Sequence, residues 1–516
     1  MGPPLYNAPL HKAKISNMQD STPAQQPADP SHSSSPWLRL SALAALLFAG
    51  LLLYSQTLAF AWDEGFHLLA AQLIKAGKRP YLDFCFPQTP LNAYLNAGWM
   101  KLFGESWRPV HALAAFWVVA GALLAAGFVL KRFPVSRWRL AGACAVLLAV
   151  GMNSQVVLFG PIGQAYGLCL FLSVAAFRLA VCSVERRGPQ WAAAAGLLAG
   201  AAAASSLLTA AVAPVLLLWI AIHNRAGARW LKIALFLIGA GIPFLPVLLL
   251  FLESPKPVLF NIIQYQTVYR HTKWEGATGQ DISVLTSWID SAQGLTLVLL
   301  SGVGTWFIAR KSDWDRAQRS EFYLAGWLAL GLGAELATAH PTFERYFLLV
   351  IPFAAILAMA GLYVAATRLG LGDRPFAPSM FLIVLVALGL GKAILEDFDS
   401  YCWKDCEKIA QQVQKNTPPG GAVWADELFY FLTRRPPPDG MEFSYAHDLD
   451  LPPALSAEFH ILPVKKIHDR VRAGLYHTVA ACYESDETDK ISLPELFRHK
   501  TEVRDCSIYW DFAGKR

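Results

Sequence analysis

The stretch "LRLSALAALLFAGLLLYSQTLAFAWDEGF", Leu38 to Phe66, decides the fold of this chain. Its first part, 38–59, is predominantly apolar, and about 20 such residues cross the hydrocarbon core of a bilayer as a helix. Two acids, Asp63 and Glu64, follow directly. A carboxylate pair at the end of a membrane span is either a helix cap, since acids favour the first turn of a helix, or part of a polar site at the membrane surface.

The composition of the whole chain indicates a polytopic membrane protein. The 516 residues are 54% hydrophobic and 16% charged, which is more apolar surface than one soluble core can bury. The polar segment 1–36 is rich in Pro, Ser and Gln and lacks the order of a signal peptide, so we expect a disordered cytoplasmic tail. The net charge of +6 is scattered over short loops, which argues against a nucleic-acid partner.

Apolar segments predict about eleven transmembrane helices in a membrane domain of residues 37–395. The split of 191–223 into two spans depends on the polar residues Ser205, Ser206 and Thr209, and the small residues around them favour close helix packing. The expected spans are 38–59, 110–130, 140–159, 164–181, 191–207, 209–223, 230–252, 291–309, 321–339, 346–366 and 377–395.

The loops between these spans are basic on alternate connections. "KRFPVSRWR", "VERRG", "HNRAGAR", "RKSDWDRAQR" and "RLGLGDR" carry the positive charge, and the short connections between them carry one Arg. Because basic loops stay in the cytoplasm, we expect the N-terminus inside and everything after 395 outside, in the periplasm if the membrane is a bacterial inner membrane. Two outer loops are long, 60–109 and 253–290, and "GFHLLAAQLIKAG" and "LNAYLNAGWMKLFG" in the first predict amphipathic helices.

The last part of the chain, 396–516, predicts a small exterior α/β domain. "GGAVWADELFYFLTRRPPPDG" indicates a strand, a short helix and a Pro-rich turn, and "HTVAACYES" and "CSIYWDF" indicate strands. Its four cysteines, Cys402, Cys406, Cys482 and Cys506, can form disulfides in an oxidising compartment, with three connectivities open.

Ionisable and aromatic residues collect in the outer loops. Arg345 in "AHPTFERYFLLVIP" is the basic residue of a short outer loop; it either snorkels from the membrane edge or grips a phosphate through its planar fork. "NIIQYQTVYRHTKWEG" fits an aromatic belt or a substrate-contacting strip equally well. The candidate substrate-binding residues are Asp83, Tyr265, Tyr269, Arg270, Lys273, His340, Glu344, Arg345 and Tyr346.

This arrangement suits transfer of a sugar from a polyprenyl-phosphate donor at the outer face of the membrane. A carboxylate takes the proton of an acceptor hydroxyl as general base, while cations stabilise the charge on the departing lipid phosphate. One displacement with one base inverts the configuration at the sugar carbon. The acceptor is a lipid, a glycan or a protein, and no spacing in the sequence chooses among these or identifies the sugar.

The chain also resembles the GT-C membrane glycosyltransferases, and within them the branch of protein O-mannosyltransferases and lipid A aminoarabinose transferases. The resemblance covers roughly 38–395 and rests on the Asp-Glu pair, on "GKRPYLDFCFPQTPLNAYLNAGWMKLFGES" and on "HPTFERYFLLVIPFAAILA". It implies that Asp63 is the catalytic base, that Glu64 is its partner, and that Arg345 and Tyr346 belong to the donor-phosphate site.

One position departs from that family. Many relatives carry another acid near the next outer loop, where it can help bind a metal or the acceptor. This chain has "NSQVVLFGPIGQAYG" there, with Gln155 and Gln164. A divalent metal cofactor is therefore left unassigned.

Two other classes of protein are compatible with the sequence. A transporter or flippase for a lipid-linked solute usually carries ionisable groups or broken helices at mid-membrane; here Arg178, Glu335 and Lys392 lie toward span ends, and Pro243 and Pro246 can break the seventh span. An assembly subunit whose exterior domain binds a partner leaves the outer acidic and basic clusters unexplained.

Overall fold

The computed structural model of the protein describes residues 35–186, 188–224, 227–270, 276–310, 314–397, 401–482 and 491–514. The predicted tail, apart from its last two residues, and the predicted substrate-binding residue Lys273 lie outside this part of the chain. All structural statements below concern the described residues.

A helix is present at each of the predicted membrane spans. Within the described ranges, seven helices are long and apolar enough to cross a membrane. They are Pro36–Thr57 (α1), Trp107–Arg132, Tyr166–Glu185, Arg229–Glu253, Ala292–Arg310, Ile351–Arg368 and Phe376–Glu396. The other expected spans form shorter or more polar helices, namely Arg139–Gly151, Gln190–Ser205, Val212–His223 and Arg316–Thr338.

The predicted break within 191–223 is confirmed. Gln190–Ser205 and Val212–His223 are separate helices, and Glu335 caps the second of them by accepting hydrogen bonds from the backbone N–H groups of Ala210 and Ala211 at 3.1 and 2.9 Å. The membrane acid that a transporter interpretation would use is therefore engaged in holding a helix end. Pro243 also acts as expected, since a 3₁₀ turn at Ile242–Phe244 interrupts the helix there.

Small residues allow close packing of the membrane helices. A Cβ added at Gly361 would lie 1.9 Å from the carbonyl oxygen of Leu300, and one at Gly196 would lie 2.0 Å from that of Phe236. Only glycine allows two helices to approach this closely, because any side chain would clash with the backbone of the neighbouring helix.

The long first outer loop contains two helices, as predicted. They are Glu64–Lys75 (α2) and Leu91–Phe103 (α3). The second outer loop holds Pro255–Leu259, a π-helix at Phe260–Tyr269, and Ala277–Thr286. A short helix, Ser154–Phe159, stands at the next outer connection.

The part of the chain after residue 400, which we call the exterior unit from its predicted location, is an α/β unit with a four-stranded sheet in the order β1-β2-β4-β3. The strands are Val423–Trp424 (β1), Thr478–Ala481 (β2), Phe497–Val503 (β3) and Cys506–Phe512 (β4), with β1 parallel to β2 and the other pairs antiparallel. The helices of this unit are Trp403–Asn416, Glu427–Thr433, Pro453–Glu458, Val464–Arg472 and Leu493–Leu496.

The structure selects one pairing among the exterior cysteines. Cys482 and Cys506 form a disulfide that joins the end of β2 to the start of β4. Cys402 and Cys406 are free thiols. Two of the four cysteines that were expected to form disulfides are therefore paired.

Candidate active site

Asp63 lies in the turn between α1 and α2, at the N-cap position of α2, but its side chain makes no capping hydrogen bond. Instead, Oδ2 of its carboxylate accepts a hydrogen bond from the guanidinium of Arg345. The hydroxyl of Tyr445 donates to Oδ1 over 2.6 Å. The carboxylate thus bonds to Arg345 in the membrane domain and to Tyr445 in the exterior unit. It does not bond to its own helix, which argues against a simple helix cap.

Two cavities meet at Asp63. The one we call the membrane cavity has a volume of about 210 Å³ and extends toward Gln164, Ser206 and His340. The other, which we call the exterior cavity, has a volume of about 450 Å³ and extends toward the exterior unit. The residues that line both are Asp63, Phe66, Gln88, Gln266, Arg270, Arg345 and Tyr346.

The positive charge of the site comes from Arg345 and Arg270. Arg345 lies on a 3₁₀ turn, Glu344–Leu349, at the start of a membrane helix, with its guanidinium carbon 4.5 Å from the ring centroid of Phe343. Its Nε is buried and has no hydrogen-bond partner within the described residues. Arg270 follows the π-helix and donates to the hydroxyl of Tyr346 at 2.8 Å.

Glu64 is fully buried and lines neither cavity. Its Oε1 lies 2.7 Å from Nε2 of His111 and accepts the backbone N–H of Gly163 over 2.7 Å. Nδ1 of His111 lies 2.6 Å from the carbonyl oxygen of Ser55. The residue beside the predicted base therefore ties α1, α2 and the connection after residue 160 together, and its catalytic role stays a prediction.

The other predicted residues fall into two groups. Tyr265 and Tyr269 line the exterior cavity, His340 lines the membrane cavity, and Arg270 and Tyr346 line both. Two predicted acids lie outside the cavity linings. They are Asp83, which pairs with Arg79, and Glu344, which accepts a hydrogen bond from Gln155.

Reasoning from the sequence missed several cavity residues. His67 follows Asp63 by one helical turn, and burial lowers its pKa to about 4, so it is neutral at physiological pH. Gln88 and Gln266 supply amide groups to both cavities. The position of His67 on α2 was readable from helical spacing, whereas the contact of Tyr445 with Asp63 had no sequence signal.

The sequence left a divalent metal cofactor unassigned. Among the described residues there is no group of three or more His, Cys, Asp and Glu side chains that could hold a metal ion. We derive no step of the reaction through a metal.

Comparison with known proteins places this architecture. Neither protein-family models nor curated proteins match the sequence. ArnT from Cupriavidus metallidurans, a lipid A aminoarabinose transferase, matches with a TM-score of 0.65 at 14% identity in its undecaprenyl phosphate complex, over 92% of this chain and 98% of that chain. The apo form of ArnT matches with a TM-score of 0.65 at 15% identity, over 92% of this chain and 97% of that chain. The AglB oligosaccharyltransferase of Archaeoglobus fulgidus, in complex with an inhibitory peptide and a dolichol-phosphate, matches with a TM-score of 0.52 at 14% identity, over 86% of this chain and 69% of that chain.

These likenesses establish the fold. Both neighbours are GT-C superfamily members, and this chain has the fold of the GT-C membrane glycosyltransferases. More narrowly, it matches ArnT over nearly the full length of both chains, including the exterior unit. The fold class predicted from the sequence is confirmed.

Proposed function

We propose that this protein is an inverting glycosyltransferase that moves a sugar from a polyprenyl-phosphate donor to an acceptor hydroxyl at the outer face of the membrane. The observation that carries the proposal is the position of Asp63, where a carboxylate and two arginines meet at the junction of two cavities. A base and a phosphate-binding group at one junction are what a single displacement at a sugar phosphate requires.

Asp63 acts as the general base. As the acceptor oxygen bonds to the anomeric carbon, the acceptor proton moves to Oδ1 of Asp63, and the bond from the anomeric carbon to the phosphate oxygen breaks. The electron pair of that bond leaves with the polyprenyl phosphate. Attack and departure occur on opposite faces of the sugar, so the configuration inverts.

Arg345 links the base to the donor. A guanidinium carries five N–H donors in one plane, so it can hold the Asp63 carboxylate with one edge and a phosphate with another. Its buried Nε, unpartnered among the described residues, is a donor that a ligand would satisfy. Arg270 and the Tyr346 hydroxyl, 2.8 Å apart, supply a second donor group for the same phosphate.

The linings of the membrane cavity and the exterior cavity agree with a reaction of two substrates. The membrane cavity has apolar walls at Leu207, Leu208 and Ile262, which suits the end of a lipid-linked donor. The exterior cavity opens toward Asp448 and Leu449 of the exterior unit, which suits an acceptor arriving from outside. The alternation of basic loops supports an orientation with this face outside the cytoplasm, and we propose a bacterial inner membrane with the exterior unit in the periplasm. We propose that the transferred sugar is a hexose or a pentose and that the acceptor is a lipid, a glycan or a protein.

The test is reconstitution of the purified protein in liposomes with a panel of radiolabelled polyprenyl-phosphate sugars, including undecaprenyl-phosphate sugars. We expect Asp63→Asn to lower the rate of polyprenyl phosphate release by about 10²- to 10⁴-fold. Asp83→Asn is the matched control, because Asp83 lies in the same outer loop but outside both cavities.

Two results would contradict the proposal. One is a folded Asp63→Asn protein with wild-type turnover. The other is the absence of donor turnover in the wild type together with solute uptake into sealed vesicles that Asp63→Asn leaves unchanged, which is the behaviour of a transporter.

A further inference from the structure

Tyr445 presents a hydroxyl to the proposed base from a distant part of the chain. It lies on a 3₁₀ turn, Ser444–Ala446, of the exterior unit, and its Oη is 2.6 Å from Oδ1 of Asp63. We call residues 443–446 the tyrosine turn. This turn forms part of the wall of the exterior cavity.

The tyrosine turn is anchored on both sides of Tyr445. The carboxylate of the buried Glu427 accepts the backbone N–H of Ser444 and also its hydroxyl, at 3.2 Å. The ring of Phe443, 5% exposed, packs against Phe66 at 5.1 Å between centroids. The tyrosine ring itself is 49% exposed. The turn is thus fixed at its base, whereas about half of the tyrosine surface at its tip is exposed.

The contact to Asp63 has the geometry of a general base and its substrate. A base must lie within hydrogen-bond distance of the hydroxyl that it deprotonates, and since Arg345 occupies Oδ2, Oδ1 is the oxygen that faces a hydroxyl. Desolvation and the charge of Asp63 raise the pKa of Tyr445, so the phenol keeps its proton and donates it in the hydrogen bond.

We propose that the Tyr445 hydroxyl occupies the position of the acceptor hydroxyl and that the acceptor, arriving through the exterior cavity, displaces it. This inference rests on the proposed function. Before the acceptor binds, Tyr445 keeps water from Oδ1 of Asp63 and so limits hydrolysis of the donor. When the acceptor binds, its hydroxyl takes over the hydrogen bond to Oδ1, and the exterior unit thereby supplies the gate for the acceptor side of the site.

The first experiment measures access to Asp63 without turnover. The purified protein is treated with dicyclohexylcarbodiimide, and modification of Asp63 is followed by peptide mass spectrometry. We expect Tyr445→Ala to label at least threefold faster than wild type, and Tyr445→Phe to lie between them. Tyr401→Phe is the matched control, because Tyr401 lies in the same exterior unit and its hydroxyl accepts the N–H of Asp505. Equal labelling of Tyr445→Ala and wild type would overturn the proposal.

The second experiment separates a displaced residue from a positioning residue. With a labelled polyprenyl-phosphate sugar and no acceptor, we expect Tyr445→Ala to release free sugar several-fold faster than wild type. With a lipid, glycan or peptide acceptor that the wild type uses, Tyr445→Phe should lower the acceptor KM at least threefold, because the competing hydroxyl is gone. A fall in kcat at constant KM would instead show that Tyr445 orients Asp63, and the proposal would be wrong.

The two experiments fail in different ways. A wild-type protein that turns over no donor in the panel overturns the proposed function and the acceptor role with it. The labelling rates are still measurable in that case, and they decide whether Tyr445 covers Asp63.

Discussion

The site around Asp63 has two walls of different chemistry. The membrane wall, built from the described residues before 398, presents Arg270 and Arg345 to the cavities. The exterior wall, residues 426–449, presents aromatic rings, the Tyr445 hydroxyl and the Asp448 carboxylate to the exterior cavity, whereas Glu427 and Glu442 are buried outside the cavity linings. The arginines that line the cavities therefore belong to the membrane wall, and the exterior wall contributes one acid to the lining.

Two acids of the exterior wall have raised pKa values. Burial raises the pKa of Asp426 and of Glu427, and the nearby charges of Asp63 and Asp426, respectively, raise them further. With its pKa raised to about 8, Glu427 favours the neutral form at pH 7, whereas the pKa of Asp426 is raised only to about 6. The membrane wall supplies the positive charge of the cavity linings.

The largest effect is expected where the membrane wall is held together. His111→Ala removes the side-chain partner of the fully buried Glu64, and we expect a loss of about 3–5 kcal/mol in the free energy of unfolding because one member of a buried pair is removed. Thermal unfolding in detergent measures this loss. His499→Ala on the exposed edge of β3 is the control and should change stability by less than about 0.5 kcal/mol. Equal stabilities would show that Glu64 does not depend on His111.

The next effect concerns the charge on the membrane wall. Arg345→Ala removes the guanidinium that touches Asp63 and faces both cavities, and we expect kcat to fall by about 10²- to 10³-fold, the cost of losing one charge-stabilising group. Arg345→Lys keeps the charge but loses the planar fork and should recover part of the rate. Arg108→Ala is the control, since Arg108 pairs with Glu407 on the outer surface. Wild-type rates in Arg345→Ala would place the phosphate elsewhere.

Much of the membrane wall could be predicted from the sequence, because its parts depend on short stretches of residues. The apolar segments predicted the membrane helices, the amphipathic period predicted α2 and α3, and Asp63 and Arg345 stood out as charges at the ends of spans. Their contact joins positions 282 residues apart, so the sequence indicated each group but not the pair.

The exterior wall could not be predicted in the same way. Its contact to the base joins residues 382 positions apart, and a lone tyrosine in a loop carries no pattern. β3, "FRHKTEV", escaped prediction because it is an edge strand with charged, exposed side chains instead of a clear apolar alternation. The role of Glu64 was also hidden, because two adjacent acids look alike until burial separates them.

A third effect tests the acids of the exterior wall by pH. Burial raises the pKa of Glu442 from its usual 4.5 to about 7, so between those values the folded protein binds a proton that the unfolded chain has lost. The contribution of Glu442 to the free energy of unfolding is then largest below pH 4.5 and falls by about 2–3 kcal/mol as the pH rises to 7. Glu442→Gln should remove this part of the slope in unfolding experiments across that range.

The difference between variant and wild type is the quantity to compare, because other groups titrate in the same range. Burial lowers the pKa of His447 to about 4, which makes stability rise with pH and opposes the Glu442 contribution. Glu502→Gln, an exposed acid on β3, is the control and should leave the slope unchanged. An unchanged slope in Glu442→Gln would mean that Glu442 is ionised in the folded protein.

The smallest effect is expected for substitutions that test how closely the two walls pack. A Cβ at Gly65 on α2 would lie 2.9 Å from the backbone nitrogen of Leu428 in the exterior unit. Backbone moves less easily than a side-chain tip, so we expect Gly65→Ala to cost about 1–3 kcal/mol and to push the walls apart. Gly98→Ala on α3, where nothing lies within 4 Å, should instead stabilise by about 0.5–1 kcal/mol. Opposite signs for two identical substitutions in one loop would locate the strain at the contact between the walls, whereas equal signs would mean that the exterior unit does not press on α2.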